Sequence, residues 1–120
     1  MTDVAANYRT ILARISEAAR KGGRKAGEIK LLGAAKSQSI AAIQAAIDVG
    51  IKLIGENYVQ EAKKKIGQIS QPVEWHMIGH LQRNKAKAAV EVFDVIESLD
   101  NLALARELNL DLHIIVRNRY

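Results

Sequence analysis

Cysteine is absent from this 120-residue chain, which removes disulfides, thiolate catalysis and cysteine metal sites together. Aromatic residues are few, one Trp, three Tyr and one Phe, so a row of stacking platforms for single-stranded nucleic acid is not expected. Long apolar runs are missing as well. An uncharged stretch such as Ser37 to Ile47 is too short and too polar to span a bilayer, and Met1-Thr2-Asp3 does not open a basic-then-apolar signal. A cytoplasmic location is therefore expected. Neither Gly-x-Gly-x-x-Gly nor a Walker-type loop occurs, which argues against a dinucleotide or nucleotide-triphosphate cradle. His76 and His80 lie four residues apart, but no nearby Cys, Asp or third His completes a ligand set, so no metal site is expected. Ser37 has no general base at a readable spacing, and serine catalysis is not supported.

What is present is an ordinary globular composition, 48% hydrophobic and 26% charged, with a net charge of +5. The length suits one domain and is short for a closed barrel of eight strand-helix units, which needs ~250 residues. Basic residues cluster at Arg20-Lys21-Arg24-Lys25, Lys63-Lys64-Lys65 and Arg83-Lys85-Lys87. The first cluster falls at a helix carboxyl end, where cations are favoured, and the second reads as a solvated helix face. Specific nucleic-acid binding is not expected; a small phosphorylated ligand is compatible.

Apolar residues recurring from Tyr8 through Ile11, Leu12 and Ile15 predict an amphipathic helix over about Val4 to Lys21, ended by Gly22-Gly23. Five strand-like runs then begin near residues 30, 52, 74, 92 and 112. Helical stretches separate them. Ser39 is placed to cap one, Gly50 to terminate it, and Ser98 or Asp100 to cap another. Alternation at this spacing implies a parallel α/β sheet, either open and doubly wound or part of a barrel, and periodicity does not choose between the two.

The distinctive residues sit just past the strand ends: Lys36-Ser37, Gly55-Glu56-Asn57, and Gly79-His80-Leu81-Gln82 with Asn84-Lys85. In a parallel sheet these loops share the carboxyl edge, where ligands bind. Lys36 is either an amine activated by apolar neighbours for attack on an aldehyde or a lysine whose stem packs while its ammonium reaches water. Glu56 and Asn57 are either ligand groups or a helix cap and turn. His76 reads as a packed strand residue.

Four segments carry a resemblance: Leu-Leu-Gly-Ala-Ala-Lys-Ser at 31 to 37, Gly-Glu-Asn-Tyr-Val-Gln-Glu at 55 to 61, Glu-Trp-His-Met-Ile-Gly-His-Leu-Gln-Arg-Asn-Lys at 74 to 85, and Ile-Glu-Ser-Leu-Asp at 96 to 100. In order and spacing the chain resembles the pyridoxal-phosphate homeostasis proteins over roughly residues 4 to 109. That family is similar to the barrel domain of alanine racemase. The resemblance implies a partial barrel of about five parallel strand-helix units behind an extra amino-terminal helix, with 1–29 as helix and linker, 30–109 as family-like units and 110–120 as a divergent end. It further implies that pyridoxal 5′-phosphate is bound through an aldimine to Lys36, with Asn57 and His80 near the ring, in vitamin B6 and amino-acid homeostasis without clear turnover. The alternatives are a racemase-like enzyme, for which no second acid or base is identifiable, and a non-functional fragment. Ala35 stands where many members have Ser, and Gln38 where many have Lys. Members also continue into further units that hold the cofactor phosphate, so the resemblance implies a truncated chain with weakened cofactor binding and self-association through an exposed sheet edge.

Overall fold

Asp3 opens the first helix by accepting the Ala6 N–H at 3.0 Å, and in this computed structural model, which describes residues 3 to 115, α1 spans Val4–Lys21. The bounds are those the apolar period predicts, with Gly22 as the cap residue. A 3₁₀ turn (Ala26–Glu28) leads into β1 (Leu32–Ala34), α2 (Ile40–Asp48), β2 (Leu53–Glu56), α3 (Val59–Ile66) and β3 (Glu74–Met77). A second 3₁₀ turn (Arg83–Lys85) then precedes α4 (Ala86–Val92), β4 (Val95–Ile96) and α5 (Leu102–Ile115). Ser39 caps α2 as expected, its Oγ accepting from the Ala42 N–H at 3.1 Å. Gly50 follows that helix at φ 123, a value that side-chain-bearing residues avoid.

The four strands are all parallel and lie in the order β1-β2-β3-β4. A doubly wound sheet reverses its strand order at a switch point; this one does not. With right-handed crossovers, winding in one direction places every crossover helix on the same face. Register confirms a dry face and a wetter one. Ile54 pairs with Trp75 and Glu56 with Met77, and these side chains are buried with Ile43, Ala62, Ala89, Val90, Phe93, Leu104 and Leu108 from the helices and loops. Alternation turns Leu32, Ala34, Leu53, Glu74 and Val95 to the other face, where none of them is fully buried. Ile54, 1% exposed at the centre of β2, is expected to cost about 2–5 kcal/mol when cut to Ala. Urea denaturation with an unchanged slope and a lowered midpoint would register that loss.

Three expectations are corrected. Instead of five strands the described residues hold four, because Leu112 to Ile115 continue α5. Leu104 and Leu108 anchor that helix in the core, and neither Gly nor Pro interrupts it, so the β-branched pair Ile114-Ile115 stays helical. Val116 and the Arg117-Asn118-Arg119-Tyr120 end lie outside the described residues. The fourth strand begins at Val95 rather than Val92, since α4 runs on until the Phe93 N–H closes on the Ala89 carbonyl at 2.8 Å. Asn101, not Ser98 or Asp100, caps α5, its Oδ1 accepting from the Leu104 N–H at 2.8 Å. Among the described residues no helix is long and apolar enough to cross a membrane.

Candidate functional site

Lys36 lies two residues past the end of the β1–β2 ladder, in a turn whose base is fixed from several directions. The Ala35 N–H donates to the Gly55 carbonyl at 2.9 Å, and the Ala35 carbonyl accepts the Gln38 N–H at 3.1 Å. Lys36 and Ser37 are therefore the two central residues of a closed turn. Ser37 has φ 62, alone among the described non-glycine residues in being positive, as the third position of a type II turn demands. A Ser there carries a conformational cost on the order of 1 kcal/mol or more, so the surroundings must impose it. Lys36 itself is exposed. The apolar shell that would desolvate its amine is not seen.

Glu56 ends β2 and is fully buried. It is neither a helix cap nor an open ligand group. Its Oε1 receives the Lys65 ammonium at 2.7 Å, and the same ammonium donates to the Ala35 carbonyl at 2.9 Å. Lys65 is 13% exposed while Lys63 and Lys64 are exposed, so the basic run divides: two residues face water and the third turns inward. Sequence reasoning missed Lys65. The available signal was Glu56 itself, an acidic residue ending a buried strand and needing a cation within reach.

Asn57 and His80 do come together. Both line a cleft of about 480 Å³ at the carboxyl edge, with Tyr58 and Gln60 from the start of α3 and Gln82 and Lys85 from the loop before α4. The two walls touch through Gly79, where an added Cβ would lie 2.8 Å from both the Cα and the carbonyl oxygen of Asn57. Because the obstructing atoms are backbone, Gly79→Ala should part the walls at a cost of about 1–3 kcal/mol; a denaturation midpoint equal to that of the unaltered chain would refute the close approach. His80 is exposed, its Nδ1 lying 3.5 Å from Asp100 Oδ2. Lys36 belongs to the same sheet edge, one strand over, but is not among the residues lining this cleft.

His76 is buried, as its strand position predicts, yet it is also bonded on both nitrogens: Nδ1 lies 2.5 Å from Glu97 Oε1 and Nε2 2.7 Å from Glu74 Oε1. Among the described residues no group of three potential ligands could hold a metal ion. A larger cavity, about 1030 Å³, opens at the opposite edge among Tyr8, Lys30, Lys52 and Asp94. It faces the strands' amino ends, away from every predicted site residue.

No protein-family model matches the chain. Over 113 residues it is 42% identical to the pyridoxal phosphate homeostasis protein of Escherichia coli K12, spanning 91% of this chain and 48% of that protein. The protein of the same name from Pseudomonas aeruginosa is 37% identical over 110 residues, with the same two shares. The chain is a relative of the pyridoxal phosphate homeostasis proteins. It spans about half the length of these curated relatives and corresponds to their amino-terminal half. Solved structures agree. PipY of Synechococcus elongatus without PLP superposes with a TM-score of 0.68 at 40% identity, covering 71% of this chain and 40% of PipY. PipY with PLP bound gives 0.67 at 34%, covering 85% and 48%. An unknown protein from Bifidobacterium adolescentis gives 0.76 at 34%, covering 89% and 48%. These solved structures superpose on a chain whose four parallel strands bring Lys36, Asn57 and His80 to one edge.

Proposed function

We propose that this chain binds pyridoxal 5′-phosphate through Lys36 and serves in cofactor and amino-acid homeostasis, without turnover of its own. One observation carries the reading: in a chain similar to PLP-bound PipY, Lys36 is an exposed amine on a turn fixed at the carboxyl edge of the sheet. The cofactor supplies an aldehyde, with which a primary amine condenses by losing water, and a ring that accepts electron density. Everything else is the chain's work. Lys36 contributes the amine in its neutral form, the form that attacks. Asn57 brings an amide and His80 an imidazole, both from the neighbouring cleft, and the residues present fit an aldehyde-bearing aromatic ligand in their chemistry. The sequential, all-parallel strand order supports reading this sheet as the first part of an alanine-racemase-type βα barrel, with residues 30–109 as its family-like units.

Titration with pyridoxal phosphate, followed by visible absorbance, tests the reading. Asn57→Ala and His80→Ala are expected to weaken binding by roughly fivefold each, the worth of one hydrogen bond of about 1 kcal/mol, while leaving capture by Lys36 intact. Unchanged affinity in both variants would remove them from the site. A racemase needs a second acid or base on the opposite side of the ring. Incubation with L-alanine and cofactor is accordingly expected to give no sustained racemisation, and racemisation lost in Lys36→Ala would replace homeostasis with catalysis.

A further inference from the structure

We infer that Lys65, held by Glu56, is a positioning residue for Lys36, a role that rests on the reading of Lys36 as the cofactor lysine. The Ala35 carbonyl accepts two donors, the Gln38 N–H that closes the Lys36 turn and the Lys65 ammonium from α3. Ala35 is itself 4% exposed, and its N–H is committed to Gly55. Both polar groups of the residue preceding Lys36 are thus fixed by partners outside the turn. That explains how the turn keeps Ser37 at φ 62, a conformation Ser does not choose unaided.

Glu56 makes the clasp directional. A free lysine ammonium in this position would point to water; fully buried Glu56 at the end of β2 draws it inward at 2.7 Å and leaves its remaining donors for Ala35. One side chain therefore ties the ends of β1 and β2 to α3, immediately behind the reactive turn. The Ala35 carbonyl satisfies a further N–H of the nearly buried ammonium, and of the two acceptors it is the one that belongs to the Lys36 turn. This second contact of Lys65 is the one that points to Lys36.

Removing one member alone would strand a buried charge, so the test replaces both. In Glu56→Leu/Lys65→Met, where apolar groups of similar volume keep the core filled, circular dichroism and the urea midpoint should stay near those of the unaltered chain. Protection of the Gln38 amide from hydrogen exchange, measured without cofactor, should fall roughly tenfold, the loss expected for a hydrogen-bonded network supported by a charged donor. Borohydride trapping of pyridoxal phosphate at Lys36 should fall by a similar factor. Glu56→Gln alone, which keeps an amide oxygen as acceptor for Lys65 but leaves its charge unpaired, should lower the urea midpoint while holding Gln38 protection within about twofold of the unaltered chain. A folded double variant with unchanged Gln38 protection and unchanged trapping would make the pair purely structural and overturn the inference. If the double variant does not fold, Glu56→Gln/Lys65→Met is read by the same two measurements. Should the unaltered chain trap no cofactor at Lys36, the functional reading fails, whereas the positioning of the turn is still decided by Gln38 exchange alone.

Discussion

Lys65→Met as a single substitution is expected to destabilise the chain by about 3–5 kcal/mol, the cost of leaving a buried carboxylate without its cation. Glu56 has no exposed surface, and its second oxygen, Oε2, has no hydrogen-bond partner, so nothing stands ready to take over from Lys65. Against a typical domain stability of about 5–15 kcal/mol, such a loss consumes a large share. Lys64→Met, one residue earlier on the solvated side of α3, is the control and should change stability by no more than about 0.5 kcal/mol. Equal denaturation midpoints for the two variants would show that the inward lysine carries no special weight.

Lys36→Ala is expected to do the opposite: leave stability almost untouched and remove specific capture of pyridoxal phosphate. Lys36 is exposed and makes no hydrogen bond or ion pair in the structure that its turn depends on; the closing bond runs between the Gln38 N–H and the Ala35 carbonyl. Ala fits the second position of that turn, so the backbone has no reason to move. The chemistry does depend on the side chain. Ten lysines are spread along the sequence, and most are solvated, but a lysine on a mobile surface offers the aldehyde no preferred geometry. Holding the reacting groups in place accounts for large factors in rate and equilibrium, and capture at the remaining lysines should drop to the level of non-specific labelling. Retention of strong, single-site capture in Lys36→Ala would move the site elsewhere, with Lys85 at the mouth of the Asn57–His80 cleft the first place to look.

Local signals account for what could be read before the fold was known. The 3.6-residue stripe from Tyr8 to Ala19 and the Gly22-Gly23 stop determine α1 to the residue, because both lie within the helix itself. The strand-helix alternation determines a parallel sheet, and the residues just past the strand ends identify its carboxyl edge. Strand order is different. Whether β3 lies beside β2 or across a switch point depends on tertiary packing that no window of sequence contains, so only the observed order distinguishes singly wound from doubly wound.

The failures share a cause. Leu112 to Ile115 have strand-forming composition, yet the outcome turned on an uninterrupted helix already anchored by Leu104 and Leu108. Lys65 sits in a run whose first two members are solvated, and its orientation is set by Glu56, nine positions away across a loop. His76 meets one carboxylate two residues distant on its own strand and another on Glu97, just past the end of β4, a partner that only the β3–β4 register supplies. In each case a residue's role came from packing that its own composition does not record.

The measurement that reaches the central claim most directly is borohydride reduction after addition of stoichiometric pyridoxal phosphate, followed by mapping of the modified peptide. The account predicts that the reduced cofactor is found on the peptide containing Lys36, in excess over all nine other lysines, and that this labelling is lost in Lys36→Ala. Label distributed evenly over the surface lysines, with Lys36 no more modified than Lys63 or Lys64, would contradict it.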